Sequence, residues 1–305
     1  MITAAAVSGS DLLQATVSGV ALGARYALIA LGFVIVFRAT GVINFANGGF
    51  VLVGAYLTYN YSTTWGLDFY LSLLLSMASG FLLGVVLEWL VLQRFVGEQA
   101  FTVIMVTIGL LFVMDNVVTA IWGAANLSFD DPWQGKVVEW GEVTITHRDL
   151  WGTVFTAAVL LAFLGFFRYS RYGLVMRATA LDQEAALAQG ISARLVHRLA
   201  WGIAGMVGAL AGTIFAAGSG LQPGIGQVAL AAFPAMILGG LDSPLGAVVG
   251  GIAIGVAQQM AQLLSADYFA WAGSSVEFVV PYVLMVVILL VRPFGLFGTH
   301  EVRRV

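Results

Sequence analysis

Cysteine is absent from the 305-residue chain, and lysine occurs once, as Lys136. The first absence excludes disulfides and thiolate metal sites, so cysteine usage does not define the redox compartment. The second excludes a phosphate-binding loop, which needs a lysine after its glycines; no G-x-x-x-x-G-K-[ST] stretch occurs. Charge is scarce too: 10% of residues are Asp, Glu, Lys or Arg, against about 25% in soluble domains. The three histidines, His147, His197 and His300, show no metal-ligand spacing. No His/Asp/Glu or Ser/His cluster lies within an apolar run, which argues against a membrane-embedded enzyme. The opening MITAAAVSGSDLL puts no basic region ahead of the first apolar run, so the first membrane helix is expected to do its own targeting.

What is present is apolar: 60% of residues are hydrophobic, the composition of an integral membrane protein. A spanning helix needs about 20 mostly apolar residues. Windows near 12–36, 68–92, 100–122, 150–167, 198–219, 244–264 and 277–292 qualify, and shorter ones near 45–60 and 227–239 are interrupted by Gly or Pro. The expected fold is all-α, a polytopic bundle of eight or nine spans with Gly/Pro-broken helices, forming one transmembrane domain over 1–305. A transmembrane β-barrel is excluded, because its strands alternate over only about ten residues. Five Gly-x-x-x-Gly pairs fall in these windows: Gly19/Gly23, Gly80/Gly84, Gly208/Gly212, Gly246/Gly250 and Gly251/Gly255. Tight helix packing is the plain reading of such spacing.

Arginines cluster in alternate loops: Arg38, Arg94, then Arg168, Arg171, Arg177, Arg194 and Arg198, then Arg292, Arg303 and Arg304. The positive-inside rule puts these in the cytoplasm. The N-terminus is then outside and the C-terminus inside, which requires an odd number of crossings. Loop 123–149, rich in Asp and Glu, is expected to be external, with a small hairpin around Gly141. Segment 168–198 is expected to be cytoplasmic. Good helix formers run from Ala180 to Leu187, with Asp182 and Glu184 near the start and Gly190 at the end. Such a helix suits docking on a partner subunit, or lying on anionic lipid heads.

Between two apolar runs stands FRATGVINFANGGF, Phe37 to Phe50. Non-helical backbone at membrane depth is tolerated only where protein buries it or it lines a watered cavity. Paired Gly- or Pro-interrupted segments in the two halves of a transporter point to its translocation site. The second such segment here is FPAMILGGLDSPLG, 233–246. The expected pathway residues are Asn44, Phe45, Asn47, Gly48, Gly49, Asp242 and Gln258. Asn44 and Asn47 suit hydrogen bonding to a passing zwitterion or bonding between helices. Gln258 and Gln259 face the same choice, and Asp242 beside Ser243-Pro244 also suits a helix cap. Arg25 lies within the first window and has to face protein or water, at a cost of about 2.5–3.5 kcal/mol on insertion scales. Asp115 and Asn116 need partners or solvent, and Glu88, ahead of Arg94, reads as a snorkelling residue at the inner surface.

EAALAQG, Glu184 to Gly190, resembles the EAA-x-x-x-G signature of ABC importer permeases, although no I-x-L-P follows. The stretches Ala27 to Leu57 and Ile237 to Gln258 resemble the branched-chain amino acid permease family, LivH type, and with 168–198 the match runs in order from about Val17 to Gly298. The resemblance implies a permease subunit of an ABC importer in the bacterial inner membrane. Its partners would be a second permease subunit, homologous or identical, two ATPase subunits and an extracytoplasmic solute-binding protein, with membrane lipid around it and no nucleic acid. It implies that Glu184, Ala185, Ala186 and Gly190 couple to the ATPase. No cofactor is expected in this chain, ATP being used by the partner subunits. Branched-chain amino acids are the implied solutes, with urea, short amides or other amino acids as alternatives. An ion-coupled secondary transporter would need intramembrane carboxylates, for which Asp115 is the one good candidate.

Overall fold

The structure is a computed structural model, and it describes residues 8–181, 188–189, 192–217, 220–268 and 276–298. The order is α1 (Gly9–Thr40), α2 (Asn47–Tyr59), α3 (Phe69–Leu90), α4 (Ala100–Trp122), β1 (Val137–Trp140), β2 (Val143–Thr146), α5 (His147–Tyr169), α6 (Arg171–Leu181), α7 (Ala193–Ala216), α8 (Val228–Gly239), α9 (Pro244–Tyr268) and α10 (Val276–Val291). Each of the nine apolar windows becomes a helix. Six, α1, α3, α4, α5, α7 and α9, are long and apolar enough to cross a membrane unaided, while α8 and α10 are shorter apolar helices. The two windows interrupted by Gly or Pro yield α2 and α8, of 13 and 12 residues.

Helix α1 is the axis of the bundle. It opens with a capping box, in which Ser8 Oγ accepts from Asp11 N–H while the Asp11 carboxylate accepts from Ser8 N–H. At 32 residues it is about 48 Å long at 1.5 Å per residue, longer than the roughly 30 Å hydrocarbon core. Every residue from Gly23 to Val36 is buried, as expected of a helix that is apolar on all sides. Its Gly19/Gly23 face lies on the Gly251/Gly255 face of α9: a Cβ on Gly23 would stand 2.5 Å from Ile252 Cα, and one on Gly251 2.7 Å from Gly23 O. The other spacings also sit at close crossings. Gly80 and Gly84 of α3 meet Gly205 and Trp201 of α7, Gly208 and Gly212 meet Phe50 and Val51 of α2, and Gly246 and Gly250 meet Gly239 and Ala235 of α8. With little hydrophobic force between helices in lipid, this backbone approach supplies the packing.

Hydrogen bonds between helices add to it. Thr156 Oγ1 on α5 donates to Ala24 O on α1 (3.0 Å), and Ser76 Oγ on α3 donates to Gly54 O on α2 (2.7 Å). Thr58 and Thr213 join α2 to α7 at 2.7 Å. Pro234 lies inside α8 and cannot donate to the carbonyl four residues back, at Leu230. That carbonyl accepts instead from the Tyr282 hydroxyl of α10, at 3.3 Å.

The two ends of the bundle differ. At one, β1 and β2 form the expected hairpin, with Val137 opposite Thr146 and Gly141 at φ 65° in the turn. Two strands alone are marginal, and α1 supplies a third edge: Gln14 Nε2 donates to Thr144 O (2.9 Å) and Gln14 Oε1 accepts from Thr144 N–H (2.8 Å). The other end, here the arginine end, gathers Phe37 and Gly41 with Asp242, Pro293, Phe294 and Gly298 around one cavity. There the chain after α10 pairs with the end of α8, Leu296 N–H donating to Leu238 O (2.8 Å) and Phe297 N–H to Gly239 O (3.0 Å).

Arg25 faces protein. Its guanidinium pairs with Asp149 at 2.9 Å and lies over the Phe215 ring. Glu88 differs from the snorkelling role expected of it. Following Gly80 and Gly84 at four-residue steps, it lies on the α3 face turned toward α7, is 1% exposed and pairs with Arg198 at 3.2 Å. Asn116 is exposed and donates to its own helix at Phe112 O. Of segment 168–198, α6 covers Arg171–Leu181, while Glu184, Ala185, Ala186 and Gly190 lie outside the described residues.

Candidate translocation pathway

The break after α1 has a local cause. Gly41 adopts φ 70°, a left-handed cap that an L side chain resists, and its N–H closes the helix on Phe37 O at 2.7 Å. Asn44 then turns the chain back: its Oδ1 accepts from Ala46 N–H at 3.0 Å, an Asx turn. Phe45 N–H donates to Thr107 Oγ1 at 3.1 Å, which fastens the turn to α4. Helix α2 starts at Asn47, so residues 41–46 are irregular backbone, exposed at Gly41, half-buried at Val42, Ile43 and Phe45, and buried at Asn44 and Ala46.

Asn47 is fully buried and reaches across to α1, Nδ2 donating to Ile29 O at 3.1 Å. This is a bond between helices. Gly48 faces the 3-10 turn Ile225–Gln227 that precedes α8, and Gly49 receives the Met114 side chain from α4. The Phe45 and Phe233 rings stand 5.6 Å apart, and Phe33 meets Phe233 edge-on at 6.1 Å. The two interrupted segments of the sequence therefore touch, and the first turns of α2 and α8 abut.

The structure brings together Asn44, Phe45, Asn47, Gly48 and Gly49. Asp242 joins them at one remove, in the turn between α8 and α9, where it shares a cavity of about 580 Å³ with Gly41 and Ile43. The cap of α9 is Ser243, whose Oγ accepts from Gly246 N–H at 3.0 Å, and Asp242 lies within Coulomb range of Arg38 instead. Gln258 stands apart. It accepts from the Tyr26 hydroxyl at 3.0 Å, about 22 Å from Gly41 along α1 at 1.5 Å per residue.

A second cavity at the arginine end, of about 230 Å³, adjoins Asn44 and is lined by Thr40, Glu88, Thr107, His197 and Trp201 among others. None of these was expected at the pathway. Glu88 carried a signal, a carboxylate in step with Gly80 and Gly84, and Thr40 lies in the interrupted stretch itself; Thr107, His197 and Trp201 are joined to Asn44 across about 60 to 160 residues, which no local pattern records. Among the described residues, no group of three or more His, Cys, Asp or Glu is placed to hold a metal ion.

Comparison with known proteins gives a consistent result. The family described as a branched-chain amino acid transport system permease component matches residues 15–289. The high-affinity branched-chain amino acid transport system permease protein LivH of Escherichia coli K12 is 30% identical, over 96% of this chain and 97% of its own. The corresponding BraD protein of Pseudomonas aeruginosa is also 30% identical, over 96% and 98%. Among solved structures, PsaBC from Streptococcus pneumoniae in complex with Fab aligns at a TM-score of 0.49 and 15% identity, over 93% of this chain and 92% of that chain.

Proposed function

Because this chain belongs to the branched-chain amino acid transport permease family, we propose that it carries leucine, isoleucine and valine across the bacterial inner membrane, through a pathway bounded by 41–49 and the start of α8. It is a multi-pass membrane protein and a permease subunit of an ABC importer. In this reading one permease domain pairs with a second permease subunit. Two ATPase subunits hydrolyse ATP, and an extracytoplasmic protein delivers the solute. The N-terminus and hairpin face outward and the arginine end faces the cytoplasm, as the arginine distribution favours. Glu184, Ala185, Ala186 and Gly190 receive the ATPase.

One observation carries the pathway reading: the two interrupted segments, remote in sequence, meet where the Phe45 and Phe233 rings stand 5.6 Å apart, and Gly48 of the first abuts Gly226 in the turn that precedes α8, as paired broken helices do at a transport site. Single cysteines at 43–48, convenient in a chain without native cysteine, test it. In the assembled importer they react with small water-soluble thiol reagents at rates altered by loaded binding protein plus ATP. Positions unreactive in every state would make the segment dry packing. Replacing Glu184 or Gly190 with bulky residues abolishes uptake while the protein stays in the membrane; normal uptake with normal ATPase co-purification would remove the coupling assignment.

A further inference from the structure

Between Ala200 and Ile214 every residue of α7 is buried except Ile203 and Met206. Three residues apart, they share a face of the helix and form the floor of a groove whose walls include Leu73 and Met77 of α3 and Phe155, Ala162 and Phe166 of α5. Its volume is about 540 Å³, and every lining side chain is a hydrocarbon or a methionine thioether; the two cavities at the arginine end, by contrast, are lined in part by Glu88 and Asp242. A water in the groove finds no polar partner among the lining side chains, so in a membrane-spanning chain an apolar occupant fills it. Size decides between a helix and a lipid chain. From Phe155 to Phe166 the groove runs about 16 Å along α5 at 1.5 Å per residue. Over that length a helix 10–12 Å across occupies roughly 1,300–1,900 Å³, more than twice the space present, whereas a single extended hydrocarbon chain fits.

The groove leads to a charged end. On α5, Tyr169 continues the helical step from Ala162 and Phe166; it is 81% exposed and carries the Arg168 guanidinium over its ring at 5.8 Å. On α7, Leu199 and Leu195 continue the step from Ile203 toward the same end, where Leu195 is exposed and Arg194 beside it is exposed too. The two helices are packed together there, with Phe163 and Phe167 in one apolar cluster with Val196 and Ala200. Exposed tyrosine and arginine above an apolar slot match the boundary between a phospholipid headgroup and its acyl chains, and the arginines select a negative headgroup. We propose that this groove binds one acyl chain of an anionic phospholipid, whose phosphate lies on Arg168 and Arg194. The site depends on the chain's place in the membrane and not on which solute it carries.

The test uses the assembled importer in phosphatidylcholine nanodiscs doped with phosphatidylglycerol that bears a diazirine midway along one acyl chain. After irradiation, adducts mapped by peptide mass spectrometry concentrate severalfold around Met77, Ala162 and Met206, against a baseline set by the exposed Phe112 and Ile121 of α4. Phosphatidylcholine carrying the same diazirine labels groove and baseline alike. Arg168→Gln combined with Arg194→Gln lowers the groove adducts to the phosphatidylcholine level. Ala162→Phe, at an exposed position, fills the slot and removes the groove adducts, while the α4 adducts, the membrane abundance and the co-purifying subunits stay as before. Adducts spread evenly over groove and α4, equal from the two lipids, or retained by the double arginine variant would overturn the proposal. So would loss of the second permease subunit from Ala162→Phe, which would make the groove a contact between subunits. None of these readouts requires transport, so the outcome is independent of the solute.

Discussion

Gly48 and Gly226 meet backbone to backbone: a Cβ on Gly48 would stand 2.7 Å from the Gly226 carbonyl oxygen, and one on Gly226 2.6 Å from that of Gly48. Neither position has room for a side chain, and the obstacle is rigid main chain. Gly48→Ala therefore lowers uptake and Gly48→Leu abolishes it, with the protein still inserted because the flanking helices keep their hydrophobicity. Uptake assayed beside membrane abundance decides the matter. Wild-type transport by Gly48→Leu would mean that the junction yields freely.

Arg25 and Asp149 form a mostly buried pair, their side chains 11% and 15% exposed. Removing one partner strands the other, which costs about 3–5 kcal/mol, whereas an apolar pair of similar size is often neutral. Arg25→Met alone and Asp149→Leu alone lower the detergent melting temperature sharply, and the double variant recovers most of the loss. Additive losses in the double variant would show that the two charges do not depend on each other.

Asn47 donates to Ile29 O with its side chain fully buried. Asn47→Leu removes a bond between α2 and α1 worth about 0.6–2 kcal/mol, visible as lower detergent stability of the complex. Transport falls only as far as assembly falls. A loss of transport in a fully assembled, equally stable complex would give Asn47 a direct part in solute passage.

The α1–α9 crossing predicts a contrast within one helix. Gly23 has Ile252 Cα where its side chain would stand, whereas Gly9 has nothing within 4 Å. Gly23→Leu forces the helices apart and costs about 1–3 kcal/mol or more, while Gly9→Leu leaves stability unchanged. Melting curves of the two variants in one detergent give the comparison directly.

Much of this was legible in the sequence because it is local or periodic. Gly41 ended the first helix, GVINFANGG and the Pro234 region gave short helices, and Gly19/Gly23 and Gly251/Gly255 marked faces that dock on each other. Hidden were the partners. Nothing near Glu88 announces Arg198, 110 residues on, and nothing near Arg25 announces Asp149, which reads as one more acid of a polar loop. The sequence flagged Arg25 as needing a partner because charge at membrane depth is costly. Glu88 lay close enough to the window's edge to pass as an interfacial residue, and only the helical step from Gly80 and Gly84 turns it inward.

The crossing of α1 with α9 also bears on how the protein is made. Helix α1 leaves the ribosome with its small-residue face matched to a helix some 230 residues later, and such non-local pairing is slow to form and exposed while it waits. Until α9 arrives, Gly19 and Gly23 face lipid or a helper protein, and until α5 arrives Arg25 lacks its carboxylate. A chain released before about residue 255 therefore leaves its central helix uncovered. The membrane's quality-control proteases would find in that bare stripe a mark of an unfinished subunit.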